Sequence, residues 1–287
     1  MFGFLNVYKP AGKTSHDVVA ILRRVTKIKQ IGHTGTLDPF AEGILPICIG
    51  KATRLIEYLK DDKAYIGTVQ LGKSTTTYDT EGEVVNESDK IVSQEEIEQS
   101  LNKFRGDIEQ LPPIYSAIKV NGKKLYDYAR NGQEVEIKPR GVNVSELKIL
   151  NFDCENQQLE LYIACSKGTY IRSIANDLGE TLGTYGHLIK LVRVQAGDFG
   201  INDSVNLEEL DTKEKVERNL IDPINYLDYP KYELNDNEFE KVSHGMPIKY
   251  NGNIDQESSI IILVKNKKLI AVGQHSSNYI KCLKVLL

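Results

Sequence analysis

A glycine-rich segment with one central acid contains the residue types in this sequence that could most directly do chemistry. Residues 32–43 hold three glycines and one proline, and apolar sequence lies on both sides. Glycine and proline favour special backbone conformations, so we predict a shaped loop rather than a helix or strand. The loop presents the carboxylate of Asp38, with His33 five residues before it. This carboxylate could be a nucleophile or a general base, although an aspartate before a proline is also a common turn residue.

A later arginine could act as the partner of that carboxylate. Residues 166–172 read Ser-Lys-Gly-Thr-Tyr-Ile-Arg and lead into a predicted helix. One interpretation is a strand-to-helix turn that leaves Arg172 exposed. The other is a helix N-terminus at which the guanidinium fork of Arg172 holds a distant carboxylate ionised and oriented.

The segment 119–140 is basic and carries tyrosines among its cations. It contains six Lys or Arg residues against three acids, and two tyrosines lie between them. A run of charge is often only a solvated surface. Cations that alternate with aromatic rings also suit nucleic acid, because cations contact phosphates and rings stack on bases. The cations are Lys119, Lys123, Lys124, Arg130, Lys138 and Arg140.

The distribution of charge is more informative than its sum. The formal net charge is −4, which by itself argues weakly against a nucleic-acid partner. However, residues 1–60 carry nine Lys or Arg residues against four acids, whereas residues 201–230 carry eight acids against three bases. Positive charge therefore gathers around the glycine-rich segment and the segment 119–140.

Several classes of function lack their sequence signals. The four cysteines are scattered without C-x-x-C pairs or nearby histidines, so we expect buried free thiols and no zinc or other metal site. Gly12-Lys13-Thr14 lacks the earlier glycine of a P-loop, because that position is Val7, and we predict a turn and a helix cap. We see no secretion signal and no apolar run of the roughly 20 residues that span a bilayer, so we expect a cytoplasmic protein without membrane contact.

The hydrophobic pattern predicts an α+β chain dominated by a sheet. We predict strands at 2–9, 44–49, 65–71, 82–85, 114–120, 142–152, 159–165 and 187–194, and helices after Thr14 and at 52–59, 93–104 and 170–182. We place a domain boundary between 228 and 229, followed by a small β-rich domain. This domain contains a hairpin of residues 259–264 and 269–273.

Four long motifs follow one another along the chain. They are Asn6-Val7-Tyr8-Lys9-Pro10, the eight residues from Gly32 to Pro39, Pro112-Pro113-Ile114-Tyr115-Ser116-Ala117 and the eight residues from Cys165 to Arg172. Together and in this order they resemble the bacterial tRNA pseudouridine-55 synthase (TruB) family. The resemblance covers nearly the whole chain. It implies a mixed, mainly antiparallel central sheet with flanking helices over 1–228, an RNA-clamping insertion at 119–140 and a PUA-like RNA-binding domain over 229–287.

The resemblance also implies a reaction. Enzymes of this family are isomerases, or intramolecular transferases, that convert uridine 55 in the TΨC arm of tRNA into pseudouridine. The flipped base is detached from the ribose, turned over and rejoined through C5. No cofactor is implied, because no atom is added by a second reagent. The implied partner is tRNA, with no protein partner required and a monomeric enzyme.

The family's reaction centre maps onto four residues of this chain. Asp38 matches the catalytic aspartate, which is required as an ionised carboxylate at the bond between ribose and base. Arg172 matches the arginine that pairs with it. Tyr65 matches the tyrosine that stacks on the flipped base, and Tyr170 matches a further active-site tyrosine.

Further matches concern the pocket wall and the RNA surface. Leu191 matches an apolar residue beside the base, and Arg193 matches a positively charged neighbour. Val192 stands where many relatives carry a second arginine, which puts one phosphate or structural contact in doubt. His33 matches a histidine that fills the gap left by the flipped nucleotide. The implied RNA-binding residues are Lys119, Lys123, Lys124, Arg130 and Arg140.

Three alternatives remain open from the sequence. The first is a tRNA-binding or tRNA-folding module without catalysis, against which the joint presence of Asp38, Tyr65 and Arg172 argues. The second is a guide-RNA-dependent relative, whereas the basic segment favours an enzyme that reads tRNA alone. The third is a hydrolase of small glycosides. Such enzymes usually need two carboxylates, and only Glu42 lies near Asp38 in the sequence.

Overall fold

The computed structural model describes residues 1–250 and 259–287. Its strands are β1 Gly3–Lys9, β2 Ile31–His33, β3 Glu42–Ile49, β4 Lys63–Leu71, β5 Lys73–Thr75, β6 Val84–Glu87, β7 Gly106–Gln110, β8 Lys119–Val120, β9 Lys123–Lys124, β10 Arg140–Asp153, β11 Gln158–Cys165, β12 Gly186–Ala196, β13 Phe199–Gly200, β14 Val205–Asn206, β15 Lys231–Glu233, β16 Ile248–Lys249, β17 Ile260–Lys265, β18 Lys268–Ser276 and β19 Tyr279–Val285. The α-helices are α1 Ser15–Thr26, α2 Gln94–Leu101, α3 Leu125–Arg130, α4 Ile171–Leu182, α5 Lys213–Arg218 and α6 Asp236–Ser243.

The main sheet is mixed and mainly antiparallel, as predicted. Its strands lie in the order β14, β1, β3, β12, β4, β11, β10, β7, with β2 paired to β3 and β13 paired to β12. The pairs β1–β14 and β3–β12 are parallel, and the other pairs in this sheet are antiparallel. The second end of the glycine-rich segment, Glu42 and Gly43 in β3, therefore lies beside Val192 and Arg193 of β12, far along the chain.

Two helices cover different parts of the main sheet. Helix α1 begins at Thr14, whose side chain forms a capping box with Asp17, as the sequence predicts. Its apolar side packs in one buried cluster with residues of β1 and β3. Helix α4 packs its apolar side, including Ile174 and Leu178, in another cluster with Tyr65 of β4. The N-terminus of α4 therefore lies beside β4 rather than at the outer surface.

A second sheet follows in the order β15, β17, β18, β19, β16. The predicted hairpin is confirmed in β17 and β18, and Asn266 and Lys267 form its turn with positive φ angles of 50° and 61°. Apolar residues of this sheet, including Ile262 and Val272, share a buried cluster with Phe4 and Ile44 of the main sheet. The two sheets are therefore joined by a common core.

Several element predictions need correction. Residues 32–43 are not all loop, because β2 extends to His33 and β3 begins at Glu42. Residues 114–120 form a strand only at Lys119–Val120, and Ser116 and Ala117 line the cavity described below. The helix predicted at 52–59 is a 3-10 helix over Gly50–Tyr58.

Some features were missed or only partly predicted. Strand β7 was not predicted, because it is a short edge strand whose only partner in the main sheet is the distant β10. Of the four cysteines, Cys48 and Cys165 are buried as expected, whereas Cys282 is partly exposed and Cys154 is exposed. Within residues 1–250 and 259–287, no helix has both the length and the apolar character needed to cross a membrane.

Candidate active site

A cavity of about 270 Å³ opens beside Asp38. Its wall comes from the loop 34–38, from β4, from residues 116 and 117, from the start of α4 and from Leu191 of β12. The volume lies near the lower end of the range for small-molecule sites, roughly 300–1,000 Å³. The cavity is therefore suited to a single nucleoside or a molecule of similar size.

Buried Arg193 holds the loop that carries Asp38. Its Nε donates to the carbonyl of Ile44 at 2.8 Å, while Nη1 and Nη2 donate to the carbonyls of Thr36 and Gly35 at 3.3 and 3.2 Å. Gly43 lets the backbone of Arg193 come this close, because a Cβ at position 43 would lie 2.3 Å from the Arg193 carbonyl oxygen. The parallel contact of β3 with β12 thus fixes the start of the loop.

Lys9 and Ser15 hold the other side of the loop. The buried ammonium of Lys9 donates to the carbonyls of Lys13 at 2.6 Å and Pro39 at 3.3 Å. The Ser15 hydroxyl donates to the carbonyl of Leu37 at 3.0 Å and accepts from its N–H at 2.8 Å. Burial lowers the pKa of Lys9 to about 8, while the negative charge of Asp38 opposes that shift.

Arg172 lies between two carboxylates. Its Nε is 2.9 Å from Oδ2 of Asp38, and its Nη1 is 3.3 Å from Oδ2 of Asp79. The guanidinium also donates to the carbonyls of Thr77 at 3.1 Å and Tyr115 at 3.0 Å. The arginine side chain is 6% exposed, whereas the Asp38 side chain is 33% exposed. The predicted pairing of Asp38 with Arg172 is thus present, and Asp38 keeps an open side.

The electrostatics of Asp38 are set by opposing influences. Burial raises the pKa of Asp38 above its ordinary value, the positive charge of Arg172 pulls that pKa down, and the negative charge of Asp79 pushes it up. The net direction is upward. A raised pKa makes the ionised carboxylate a stronger base than an exposed aspartate.

The remaining predicted reaction-centre residues line the same cavity. Tyr65 and Leu191 form a buried wall from β4 and β12. Tyr170 precedes α4, and Gln110 fixes its backbone by accepting from its N–H at 2.7 Å and donating to its carbonyl at 3.0 Å. Burial raises the pKa of both tyrosines, so the two phenols are neutral at physiological pH.

His33 lies outside the lining of this cavity, at the end of β2. The next residue, Thr34, belongs to the lining. Burial, followed by the nearby charge of Arg193, lowers the pKa of His33 and favours the neutral imidazole. Its role toward RNA stays a prediction.

The basic segment forms a small unit beside the cavity. Strands β8 and β9 make a hairpin, and α3 follows. Lys123 Nζ lies 4.6 Å from the ring centre of Tyr128, whereas Lys124 and Arg130 lie at 5.2 and 5.4 Å from the ring centre of Tyr126. Cations thus lie against these rings. Lys119 and Arg140 are exposed, the latter at the start of β10.

Asp79 and Lys9 were not predicted to have a role in the site. Asp79 follows Tyr78, which has a positive φ of 64°, in a polar turn without an obvious motif. Lys9 belongs to one of the family motifs, but its carbonyl partners lie at separate places in the chain. The contact of Asp79 with Arg172 and the contact of Lys9 with the Pro39 carbonyl join residues that are distant in sequence, so no local pattern indicates either contact.

Comparison with known proteins decides the family. The model described as "TruB family pseudouridylate synthase (N terminal domain)" matches residues 23–171, and "tRNA pseudouridylate synthase B C-terminal domain" matches residues 172–227. The chain belongs to the TruB family. It is 40% identical over 302 aligned positions to tRNA pseudouridine synthase B of Bacillus anthracis, and the alignment covers 100% of this chain and 97% of that relative.

Other similarities agree with this membership. This TruB-family chain is 43% identical over 274 positions to tRNA pseudouridine synthase B of Caldanaerobacter subterraneus subsp. tengcongensis, with 94% of each chain covered. A solved chain from "Structure of H/ACA RNP bound to a substrate RNA containing 2'-deoxyuridine" has a TM-score of 0.74 and 23% identity, with 100% of this chain and 85% of that chain covered. This last likeness supports the predicted fold alone.

Proposed function

We propose that this protein converts uridine 55 in the TΨC arm of tRNA into pseudouridine, with Asp38 as the catalytic carboxylate. The observation that carries the proposal is the open side of Asp38 in a nucleoside-sized cavity, with Arg172 at 2.9 Å on its other side. Relatives that match along the whole chain bear the name tRNA pseudouridine synthase B.

The reaction breaks the bond from N1 of uracil to C1′ of the ribose and forms a bond from C5 to C1′. The proton on C5 is lost, and N1 acquires a proton, so the overall change is an isomerisation. Asp38 could attack the sugar, attack the base or remove a ribose proton. Each of these routes requires the ionised carboxylate, and Arg172 favours that form.

Recognition by this protein requires the target base to leave its stack in the RNA. Extrusion of a base costs a few kcal/mol. Stacking on an aromatic side chain returns about 1–3 kcal/mol, and Tyr65, which lines the cavity, is the ring we propose for that contact. Lys119, Lys123, Lys124, Arg130 and Arg140 supply phosphate contacts around the loop of the tRNA.

The basic segment 119–140 offers cations for direct contact with RNA phosphates, which supports an enzyme that reads tRNA without a guide RNA or a protein partner. We propose that it acts as a monomer. Because tRNA is the substrate, we place its action in the cytoplasm.

Mapping of pseudouridine in tRNA from cells that lack this protein tests the proposal. We expect loss of pseudouridine at position 55 with other positions unchanged. The wild-type protein restores it, whereas Asp38→Asn does not. Pseudouridine that persists at position 55 in the deletion strain would contradict the proposed substrate. Restoration by Asp38→Asn would contradict the proposed catalytic residue.

A further inference from the structure

Gln110 carries a buried amide beside the candidate active site, and the proposed chemistry gives it no role. The residue is 3% exposed and ends β7, the edge strand of the main sheet. Both ends of its amide bind one residue, since Oε1 accepts from the N–H of Tyr170 at 2.7 Å and Nε2 donates to the Tyr170 carbonyl at 3.0 Å. An unpaired buried amide is unfavourable, so this pairing ties the Gln110 side chain to one backbone position.

The residue that Gln110 holds is the N-cap of α4. Tyr170 has an extended backbone, with φ of −102° and ψ of 108°, and its side chain makes no capping hydrogen bond. The side chains that usually cap a helix are those of Ser, Thr, Asp and Asn, which bond to the first turn. The Tyr170 side chain instead lines the cavity beside Asp38. Its backbone is thus held from β7, and its phenol is left for the cavity.

Two further hydrogen bonds join the start of α4 to the segment after β7. The hydroxyl of fully buried Ser173 donates to the carbonyl of Leu111 at 2.9 Å, and Nη2 of Arg172 donates to the carbonyl of Tyr115 at 3.0 Å. Neither bond involves Tyr170. The contact of Ser173 with Leu111 is therefore a matched comparison for the contact of Gln110 with Tyr170, because it joins the same two parts of the chain.

We propose that Gln110 is a positioning residue that holds the phenol hydroxyl of Tyr170 in the cavity beside Asp38. The two hydrogen bonds fix the peptide planes on both sides of the Tyr170 Cα, from which the side chain extends. A displacement of about 1 Å at a site of reaction can slow an enzyme by up to about 100-fold. The inference rests on the proposed function, because the group that meets the phenol belongs to the flipped nucleoside.

Kinetics in two backgrounds test this role. Gln110→Leu removes both hydrogen bonds and keeps a side chain of similar size. We expect kcat for tritium release from C5 of tRNA to fall about tenfold with KM nearly unchanged, because the RNA-binding cations are untouched. In a Tyr170→Phe background, Gln110→Leu causes no further loss. An equal loss in both backgrounds would overturn the proposal.

Ser173→Ala is the matched control for a loss of stability at the same junction. It removes the bond to the Leu111 carbonyl, so we expect a lower Tm with kcat in place. A loss of kcat in Ser173→Ala as large as that in Gln110→Leu would mean that any loosening of this junction slows the reaction. That outcome would overturn a specific role of Gln110.

The variant Gln110→Glu gives a readout that a merely structural role would not move. A protonated carboxyl can accept from the Tyr170 N–H and donate to the Tyr170 carbonyl, whereas an ionised carboxylate can only accept. We expect the rate of Gln110→Glu, divided by the wild-type rate at each pH, to rise as the pH falls. The same ratio for Gln110→Leu stays constant. A ratio for Gln110→Glu that stays low at every pH would overturn the contact.

A titration without tRNA separates this inference from the proposed function. The full-length protein is prepared with 3-fluorotyrosine at position 170, and the fluorine resonance is followed against pH. Burial raises the pKa of Tyr170, so we expect this pKa to fall in Gln110→Leu as the phenol becomes exposed, and to stay unchanged in Ser173→Ala. An unchanged pKa in Gln110→Leu would overturn the positioning role. A wild-type protein that does not act on tRNA would contradict the proposed function separately.

Discussion

At the scale of single residues, the site works through the balance of charges around Asp38. Arg172 offers one guanidinium to two carboxylates, and Asp79 is almost fully buried beside it. Removal of the Arg172 charge would raise the pKa of Asp38, whereas removal of the Asp79 charge would lower it. This opposition separates an electrostatic role from a merely structural one.

Substitution of the two partners therefore shifts the acid limb of the pH–rate profile in opposite directions. Arg172→Gln removes a charge that lowers the pKa of Asp38, so the limb moves to higher pH. Asp79→Asn removes a charge that raises this pKa, so the limb moves to lower pH. Both variants lose activity. Single-turnover release of tritium from C5 of labelled tRNA, measured against pH, checks the shifts.

A surface variant provides the control for these shifts. Asp198 forms an exposed ion pair with Lys60, so Asp198→Asn leaves the acid limb in place. If Arg172→Gln and Asp79→Asn moved the limb in the same direction, the electrostatic account of Asp38 would be wrong.

At the scale of elements, two strands determine where the loop 34–41 lies. Strands β3 and β12 run parallel and meet at Gly43 and Arg193. The guanidinium of Arg193 then reaches three carbonyls at the start of the loop and in β3. The position of the loop 34–41 is thus determined by the centre of the sheet.

Gly43→Ala is predicted to destabilise the protein strongly. Its φ of 107° disfavours a side chain, and the new Cβ would meet the Arg193 carbonyl at 2.3 Å. Gly106→Ala is the matched control, because Gly106 has a φ of 81° and no heavy atom within 4 Å of the added Cβ. We expect a loss of about 1–2 kcal/mol at Gly106 and about 2 kcal/mol more at Gly43. Denaturant unfolding measures both, and equal losses would refute the close-contact argument.

The basic segment is predicted to control the salt dependence of tRNA binding. Replacement of Lys123, Lys124 and Arg130 by glutamine weakens tRNA binding. It also makes the negative slope of the logarithm of the association constant against the logarithm of salt concentration shallower by about 2. The matched control replaces three cations of α5, Lys213, Lys215 and Arg218, which lie in the acidic stretch of the chain. Titrations at several salt concentrations check this. Equal slopes for the wild type and the first variant would exclude a phosphate-binding role.

At the scale of the whole molecule, the second sheet completes the core of the first. Ile262, Val264 and Val272 share a cluster with Phe4 and Ile44. The boundary between 228 and 229 stays a prediction. Because the two parts share this core, we expect the stability of one part to depend on the other.

Truncation after residue 228 is therefore predicted to destabilise residues 1–228. It would remove the apolar side chains of the second sheet that share a buried cluster with Tyr58 and Leu227. We expect a lower Tm and aggregation of the fragment, measured by thermal unfolding and light scattering against the full chain. A fragment that melts at the temperature of the full-length protein would contradict a shared core.

The sequence predicted which side chains line the cavity beside Asp38 better than it predicted which residues hold those side chains in place. Asp38, Arg172, Tyr65, Tyr170 and Leu191 lie together as the family motifs imply. Short-range signals also worked, since the capping box at Thr14 and the hairpin of the second sheet are present. These features depend on residues near one another in sequence or on long motifs.

Features that depend on distant partners were not predicted. Asp79 reaches the site through an ion pair with Arg172, 93 positions later, and a single aspartate in a polar turn gives no sign of such a partner. Lys9 and Arg193 donate to backbone carbonyls. Every residue has a backbone carbonyl, so the sequence does not indicate which one accepts the hydrogen bond. Strand β7 is defined by its pairing with β10. Such contacts are decided by the assembled sheet.

The most direct measurement of the central claim is C5-tritium release by Asp38→Asn under single-turnover conditions, with tRNA affinity measured on the same preparation. The substitution removes the charge and keeps the shape of the side chain. We predict that release is abolished while tRNA still binds with nearly wild-type affinity, because the basic segment and Tyr65 are unchanged. Release at the wild-type rate by a correctly folded Asp38→Asn protein would contradict the assignment of Asp38 as the catalytic carboxylate.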